Sequence, residues 1–221
     1  MILPRRTHPV NSFRKHLTTS AAALAVAVLV TAVGLVGCGS ENHSPIGEPT
    51  SNALAAAPTG LRWQPFQGVD LPVGKQGPRH IEQPAAVGFD RSPAGAALAA
   101  IHATVRMSIA TDNQWPIVGQ RMLAPGPGRD AWAIARAQIS ITTPITDRPP
   151  KLLGYVITRY TLDATDVDIY SIHPDNTVTC NHTSVVWHGD DWRLQLPDSP
   201  TTAPVTAVTV PPPDLVALTR R

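Results

Sequence analysis

Several titratable side chains in this sequence are of the types that acid–base catalysis uses. His102 and Arg106 are four residues apart, which is one turn on a helix, and Asp166 and Asp168 lie two residues apart in a strand-like stretch. An isomerase or dehydratase would need such a group together with a hydrogen-bond donor for a developing oxyanion. The spacing favours structural roles instead: we expect His102 and Arg106 on the solvent edge of a helix and both aspartates on the polar face of an outer strand. Tyrosines that could supply the donor from predicted strands are Tyr155, Tyr160 and Tyr170.

The histidines do not form a recognised metal-binding pattern. His173, His182 and His188 fall in or next to predicted strands, but six residues separate His182 from His188, about 20 Å along a strand. Two ligands of one ion lie much closer together, and the sequence has no Cys pair, His-x-His or His-Glu-x-x-His pattern. We therefore expect no metal site and no cofactor. Cys180 is predicted to be a small buried hydrophobic residue.

The glycine-containing block Pro125–Asp130 could in principle cradle an anion, with Arg129 as its partner. Its two prolines remove two of the backbone amides that such a loop would need. The block is better interpreted as a rigid turn that leads into Asp130 as a helix cap.

Cys38 is the residue with the clearest predicted chemistry. It follows a basic segment and an uncharged, apolar run that ends in Leu35-Val36-Gly37, a pattern that resembles a bacterial lipobox, in which the Cys is lipidated. The alternative is an uncleaved transmembrane anchor, because residues 17–37 are just long enough to cross a bilayer. Both alternatives predict that the rest of the chain lies on the extracytoplasmic face of the cell membrane, lipid-anchored in the first case and held by a single-pass anchor in the second.

Charge argues against a nucleic-acid partner. The chain has 18 basic and 16 acidic residues, and its formal charge is +2. Arg5, Arg6, Arg14 and Lys15 precede every acidic residue, so without residues 1–37 the balance becomes −2. Binding to phosphate backbones needs clustered Lys and Arg, which this part of the sequence lacks.

Composition divides the chain into five segments. Residues 1–37 are predicted as the signal peptide, 38–61 as a flexible Ser/Asn/Pro/Ala-rich spacer, and 62–88 as an extended segment packing on the domain. Residues 89–198 are predicted as the folded domain, and 199–221 as an extended or disordered Pro/Thr-rich tail with a short contact through Leu215, Val216 and Leu218.

Helices come first in the predicted domain. Ser92-Pro93 is a strong helix start, and Leu98, Ile101, Val105 and Ile109 recur at helical spacing. A shorter helix capped at Asp112 or Asn113, and a further turn or two after Asp130, are expected next.

Strands follow, because the hydrophobic period then changes to two. Short turns between them imply an antiparallel meander. The predicted fold class is therefore α+β, with N-terminal helices packed on a curved antiparallel sheet of about five strands. The predicted strands are 138–143, 152–160, 166–173, 177–188 and 191–196.

Four longer segments, together with the dipeptides Leu71-Pro72, Gly77-Pro78 and Gln114-Trp115, carry a resemblance to a known family. The longer segments are Trp63–Gly68, Ser92–Ala100, Pro125–Trp132 and Trp187–Leu194, and together they resemble a family of actinobacterial exported proteins often linked to conjugative elements. The order of elements is similar to the NTF2-like cone of VirB8-like and TcpC-like transfer subunits. The resemblance implies that fold and a role accessory to conjugation; it brings no catalytic residues.

The expected function is that of a noncatalytic, membrane-tethered interaction module outside the cytoplasm. Its partners would be the membrane, through the lipid on Cys38, and envelope or transfer-system proteins. The residues expected to make the protein contacts are Trp63, Phe66, Arg129 and Trp132, which lie in rigid, aromatic segments. The alternative is a protein that binds a small apolar ligand in the cone cavity, or an isomerase-type enzyme; an open cavity beneath the sheet would favour it.

Overall fold

The computed structural model describes residues 54–199 and 203–220. Cys38 and the predicted signal peptide lie outside these residues, as does most of the predicted spacer. No helix within the described ranges is long and apolar enough to cross a membrane.

Two β-hairpins open the described part of the chain. In the first, β1 (Arg62–Phe66) pairs with β2 (Val69–Val73) through the two-residue turn Gln67-Gly68. Both turn residues have positive φ, as a type I′ hairpin turn requires. Gly68 also lies so close to the carbonyl oxygen of Ile145 that a Cβ would be only 2.0 Å from it. In the second hairpin, β3 (His80–Glu82) pairs with β4 (Ala85–Val87).

Three helices follow the hairpins. The longest, α1 (Pro93–Ile109), begins as the sequence predicts, because the Ser92 side chain accepts a hydrogen bond from the backbone N–H of Gly95. The next, α2 (Trp115–Met122), has Gln114 at its N-cap without a side-chain bond, rather than Asp112 or Asn113. The third, α3 (Pro127–Arg136), begins three residues before Asp130, which was predicted to cap it.

The rest of the described chain is dominated by a six-stranded antiparallel sheet. The strand order is β10-β5-β6-β7-β8, and β9 pairs with the half of β7 that β8 leaves free. Both β9 and β10 come from the Pro/Thr-rich segment predicted as a tail, where Val216 and Leu218 are buried. The strands are β5 (Lys151–Tyr160), β6 (Ala164–Ile172), β7 (Val178–His188), β8 (Asp191–Gln195), β9 (Val205–Val208) and β10 (Val216–Ala217).

The core lies between α1 and one face of this sheet. Leu98 and Ile101 are completely buried on the helix, and alanines beside them allow close approach to β5, β6, β7 and β8. The sheet contributes Val167 and Val185 to the same cluster. Because successive strand residues point to opposite faces, Asp166 and Asp168 belong to the other face of β6.

The predicted fold class is wrong. The described chain has ten strands and three helices, and four of the strands precede α1, whereas an NTF2-like α+β cone was expected to begin with helices packed on a sheet of about five strands. The error has a physical origin: Pro65, Gly68 and Pro72 in the first hairpin, and Pro78 and Pro84 around the second, disguise the two short hairpins as an aperiodic extended segment. The predicted strand 138–143 is also absent, since these residues are irregular and largely exposed.

Candidate functional site

His102 and Arg106, which were predicted on the solvent edge of a helix rather than as an acid–base pair, do not lie on a solvent edge. Both are fully buried, because the two N-terminal hairpins cover the side of α1 that was expected to face water. The His102 Nε2 is 2.9 Å from the carbonyl oxygen of Pro72, and Arg106 Nη1 donates to the carbonyl oxygen of Pro84 at 2.6 Å. The pair therefore holds both hairpins to the helix.

Burial determines the protonation states of His102 and Arg106. Desolvation first, and then the charge of Arg106, lowers the pKa of His102 to about 3, although its hydrogen bond to Pro72 acts in the opposite direction. Desolvation also lowers the pKa of Arg106 to about 10, which leaves the guanidinium charged at neutral pH. His102 is thus a neutral ring that accepts a long hydrogen bond, 3.4 Å, from Arg106 Nε at its Nδ1. Among the described residues, no acidic side chain hydrogen-bonds to either member of the pair.

Phe66 and Trp63, two of the predicted interaction residues, serve mainly in packing. Phe66 is 2% exposed and lies under the Arg106 guanidinium, 4.2 Å from the ring centroid. The predicted exposure of its ring was therefore wrong. Trp63 is half-buried, and Arg220 from the end of the chain lies over its ring at 5.0 Å.

Arg129 and Trp132, the other two predicted residues, both lie on α3. Among the acidic groups that the structure describes, Arg129 contacts only the neighbouring Asp130, at 3.4 Å. Trp132 packs edge-on against Trp115 of α2, with ring centroids 5.8 Å apart. This aromatic pair joins the two helices. Three large aliphatic side chains in or just after these helices are exposed, namely Ile117 in α2, Ile134 in α3 and Ile139 after α3. We call the exposed part of this region the α2–α3 surface.

Asp112 shapes the edge of the α2–α3 surface. Its carboxylate accepts hydrogen bonds from the backbone N–H of Ile141 and from Ser140, and these bonds, together with Arg136, lower its pKa. Asp112 lines two depressions of about 340 and 350 Å³, the first of which is also lined by Trp115 and Ile139 and the second by Gln114 and Ile141. Both are open to solvent.

Asp166 and Asp168, the predicted outer-strand carboxylates, point away from α1 as expected. Asp166 binds Arg159 in a bidentate pair and accepts a hydrogen bond from Ser184. Partial burial raises the pKa of Asp166, but the hydrogen bonds and charge of these partners outweigh it, and the pKa is lowered. This carboxylate is a satisfied structural group rather than a proton acceptor.

Asp168 has different neighbours. It lies directly opposite His182 in the β6–β7 register, and its Oδ1 is 2.7 Å from His182 Nδ1. Cys180, two residues before His182 and on the same face, places its Sγ 3.9 Å from the same nitrogen. The three donor atoms lie within 4.8 Å of one another. Burial is graded across the group, since Cys180 is buried, Asp168 is half-buried and His182 is exposed.

These three side chains are not arranged as a nucleophilic triad. In such a triad the imidazole uses one nitrogen toward the nucleophile and the other toward the carboxylate, whereas here Nδ1 faces both groups. Burial in addition raises the pKa of the Cys180 thiol, which opposes the thiolate that a nucleophile requires. What the arrangement offers is a sulfur, a nitrogen and an oxygen donor converging on one point.

These three donors were not predicted as a group, because the histidines were compared only with one another. The pattern Cys180-x-His182 already placed two donors on one face of a strand. A hairpin centred on Asp175 pairs Asp168 with His182. His173 and His188 are not members of the group, which is consistent with the separation expected along the strand.

The comparisons identify the family but not its activity. A family model described as a domain of unknown function, DUF8175, matches residues 39–211, and the chain belongs to this family. Neither the curated proteins nor the solved structures include a match to the chain.

Proposed function

We propose that this protein is a noncatalytic interaction module, held at the extracytoplasmic face of the membrane by a lipid on Cys38, and that it binds an envelope protein through the α2–α3 surface. The observation that carries the proposal is the exposure of three large aliphatic side chains in or just after these two helices. Of the six large hydrophobic residues exposed in the described chain, Ile117, Ile134 and Ile139 lie on this surface.

The construction of the surface supports a binding role. The Trp115–Trp132 contact fixes α2 against α3, and Gly119 permits it, because a Cβ there would be 2.7 Å from the Trp132 ring. A rigid apolar surface loses little conformational entropy on binding, and large exposed apolar groups are typical of protein contact sites. The depressions beside Asp112 add concave regions to this surface, which side chains of a partner can occupy.

The interior supports this proposal over the ligand-binding or enzymatic alternative. That alternative requires an open apolar cavity beneath the sheet with an acid–base group at its mouth. In the described residues, the space between α1 and the sheet is filled by completely buried side chains, among them Leu98, Ile101 and Val167. His102 lies inside this packing, and Asp166 is occupied by Arg159 and Ser184.

The identity of the partner rests on the sequence resemblance. The family that the four segments resemble is linked to conjugative elements, so a transfer-system protein is the first partner to examine. The exported location rests on the lipobox pattern before Cys38, which lies outside the described residues.

Photo-crosslinking on intact cells tests the interaction. Ile134→Asp introduces a charge on the α2–α3 surface and should reduce the yield of the crosslinked partner, identified by mass spectrometry, by at least about tenfold, because a buried unpaired charge is costly. Val210→Asp is the matched control, since Val210 is 70% exposed, close to the 68% of Ile134, and lies elsewhere in the chain. Equal yields from both variants would refute the proposed surface.

A further inference from the structure

The geometry points to a Zn²⁺ site on the outer face of the sheet, formed by Asp168, Cys180 and His182. We propose that these three side chains bind one Zn²⁺ ion and leave its fourth coordination position open to solvent. The inference is independent of the α2–α3 surface, which involves none of these residues.

The backbone holds the three donors together. Asp168 and His182 are directly opposite in the β6–β7 register, and Cys180 precedes His182 by one full strand period. β9 adds a third strand at this place, because Thr206 pairs with Cys180, and His182 donates its backbone N–H to the carbonyl oxygen of Pro204. The three Cα positions are therefore fixed by ladders on both sides of β7, which lowers the cost of assembling the site.

The distances suit a small ion. With Zn–S of about 2.3 Å and Zn–N and Zn–O of about 2.0–2.2 Å, tetrahedral angles place S and N about 3.6 Å apart and N and O about 3.3 Å apart. The observed separations are 3.9 Å between Cys180 Sγ and His182 Nδ1 and 2.7 Å between His182 Nδ1 and Asp168 Oδ1. Small rotations of the exposed His182 side chain, toward Cys180 and away from Asp168, bring the S–N and N–O separations to the values that Zn²⁺ requires.

The donor chemistry selects zinc over harder cations. A thiolate and an imidazole are ligands that Zn²⁺ prefers, whereas Mg²⁺ and Ca²⁺ take oxygen donors almost exclusively. Zn²⁺ binding replaces the proton of the Cys180 thiol. The thiolate and the Asp168 carboxylate then supply two negative charges, which neutralise the ion beside the buried sulfur. Neutrality matters here because an uncompensated charge next to a buried group is unfavourable.

The difference in burial among the three ligands determines which side of the ion is open to solvent. Cys180 anchors the buried side of the site, while the His182 side chain is 53% exposed and opens it to water. Three protein ligands and a solvent position are the pattern of zinc sites that bind a further molecule, whereas purely structural sites are closed by four protein ligands.

Cobalt substitution in the full-length chain tests the site. The experiment uses a Cys38→Ser background, in which Cys180 is the only remaining thiol. After chelator treatment, one equivalent of Co²⁺ should produce a thiolate-to-cobalt charge-transfer band in the near ultraviolet, and Zn²⁺ should abolish it by displacement. Cys180→Ser should remove the band, because no other sulfur of a cysteine is present.

Variants of the other two ligands separate a three-donor site from a lone thiol. His182→Asn and Asp168→Asn should each weaken Zn²⁺ binding by at least about tenfold. Even the loss of a residue that hydrogen-bonds to a metal ligand, without binding the metal itself, lowers metal affinity by this factor. His188→Asn, at the exposed end of the same strand, should leave the affinity unchanged. Circular dichroism verifies the fold of each variant.

Two results would overturn the proposal. One is the absence of a charge-transfer band in folded protein, and the other is Zn²⁺ affinity that does not change in Asp168→Asn and His182→Asn. Because the crosslinking experiment on Ile134 measures partner capture, its outcome does not depend on either result.

Discussion

At the scale of single residues, His102 is the most consequential buried group. It is a neutral imidazole enclosed by Pro72, Phe89 and Arg106, and the nearby cation reinforces the desolvation that keeps it unprotonated. Since its pKa falls from an ordinary 6.5 to about 3 on folding, the unfolded chain takes up the proton first as pH decreases. The stability associated with this group is therefore fully present above pH 6.5 and is lost as pH falls toward 3.

We expect the free energy of unfolding to decrease by about 1.4 kcal/mol per pH unit from this group alone between those values. Urea unfolding at pH 7, 6 and 5 measures the slope. His102→Gln, which does not titrate, should remove that component of the slope, whereas His188→Gln, at an exposed position, should keep it. An unchanged slope in His102→Gln would show that the ring is not held neutral inside the fold.

At the scale of elements, one carboxylate connects the hairpins to the sheet. Asp191 opens β8, and its Oδ2 accepts from the backbone N–H of Gly88 at 2.7 Å while its Oδ1 accepts from Phe89 at 3.0 Å. Its own neighbour Trp192 supplies a third N–H. Burial raises the pKa of Asp191, and these three hydrogen bonds oppose that shift.

Asp191→Asn should therefore destabilise the protein by about 1–3 kcal/mol. The amide has only one acceptor oxygen, so its NH₂ group would face a backbone donor and leave a buried N–H unpaired. The midpoint of urea unfolding measures the effect. Asp190→Asn alters the adjacent exposed carboxylate and should change the midpoint little. Equal urea midpoints for the two variants would show that the hydrogen bonds of Asp191 do not stabilise the connection between the hairpins and the sheet.

The elements also show where sequence patterns are informative. Strands β5 to β8 were predicted within a few residues, because alternation and turn residues are local signals, and α1 began at its predicted cap. The segment that packs against the second face of α1 cannot be predicted from the local sequence pattern. His102 was placed at a solvent edge because helical periodicity shows which residues share a face, but not that the hairpins at 62–87 fold over that face.

At the scale of the whole molecule, long-range connections tie both ends of the described chain to its centre. Arg220 pairs with Asp70 and lies over Trp63, and β10 and β9 extend the sheet with residues that composition alone marks as a tail. Proline-rich composition lowers the average tendency to fold, but a few buried side chains such as Val216 and Leu218 suffice to dock such a segment on an existing sheet edge. The proposed binding surfaces at α2–α3 and on the outer sheet face are thereby presented by one continuous framework.

The proposed attachment of this framework to the membrane gives the last prediction. The lipobox-like sequence before Cys38 predicts a lipidated amino terminus, and since one acyl chain binds a bilayer only marginally, the two acyl chains of a diacylglyceryl modification would be needed for firm attachment. Cys38→Ser should block incorporation of labelled lipid and leave a precursor that retains residues 1–37, measured by radiolabelling and by the mass of the purified protein. Ser40→Ala, two residues after the modified position, is the control and should be labelled and processed normally. If Cys38→Ser changes neither the labelling nor the mass, the uncleaved transmembrane anchor is the correct alternative, and alkaline extraction should then leave both variants in the membrane fraction.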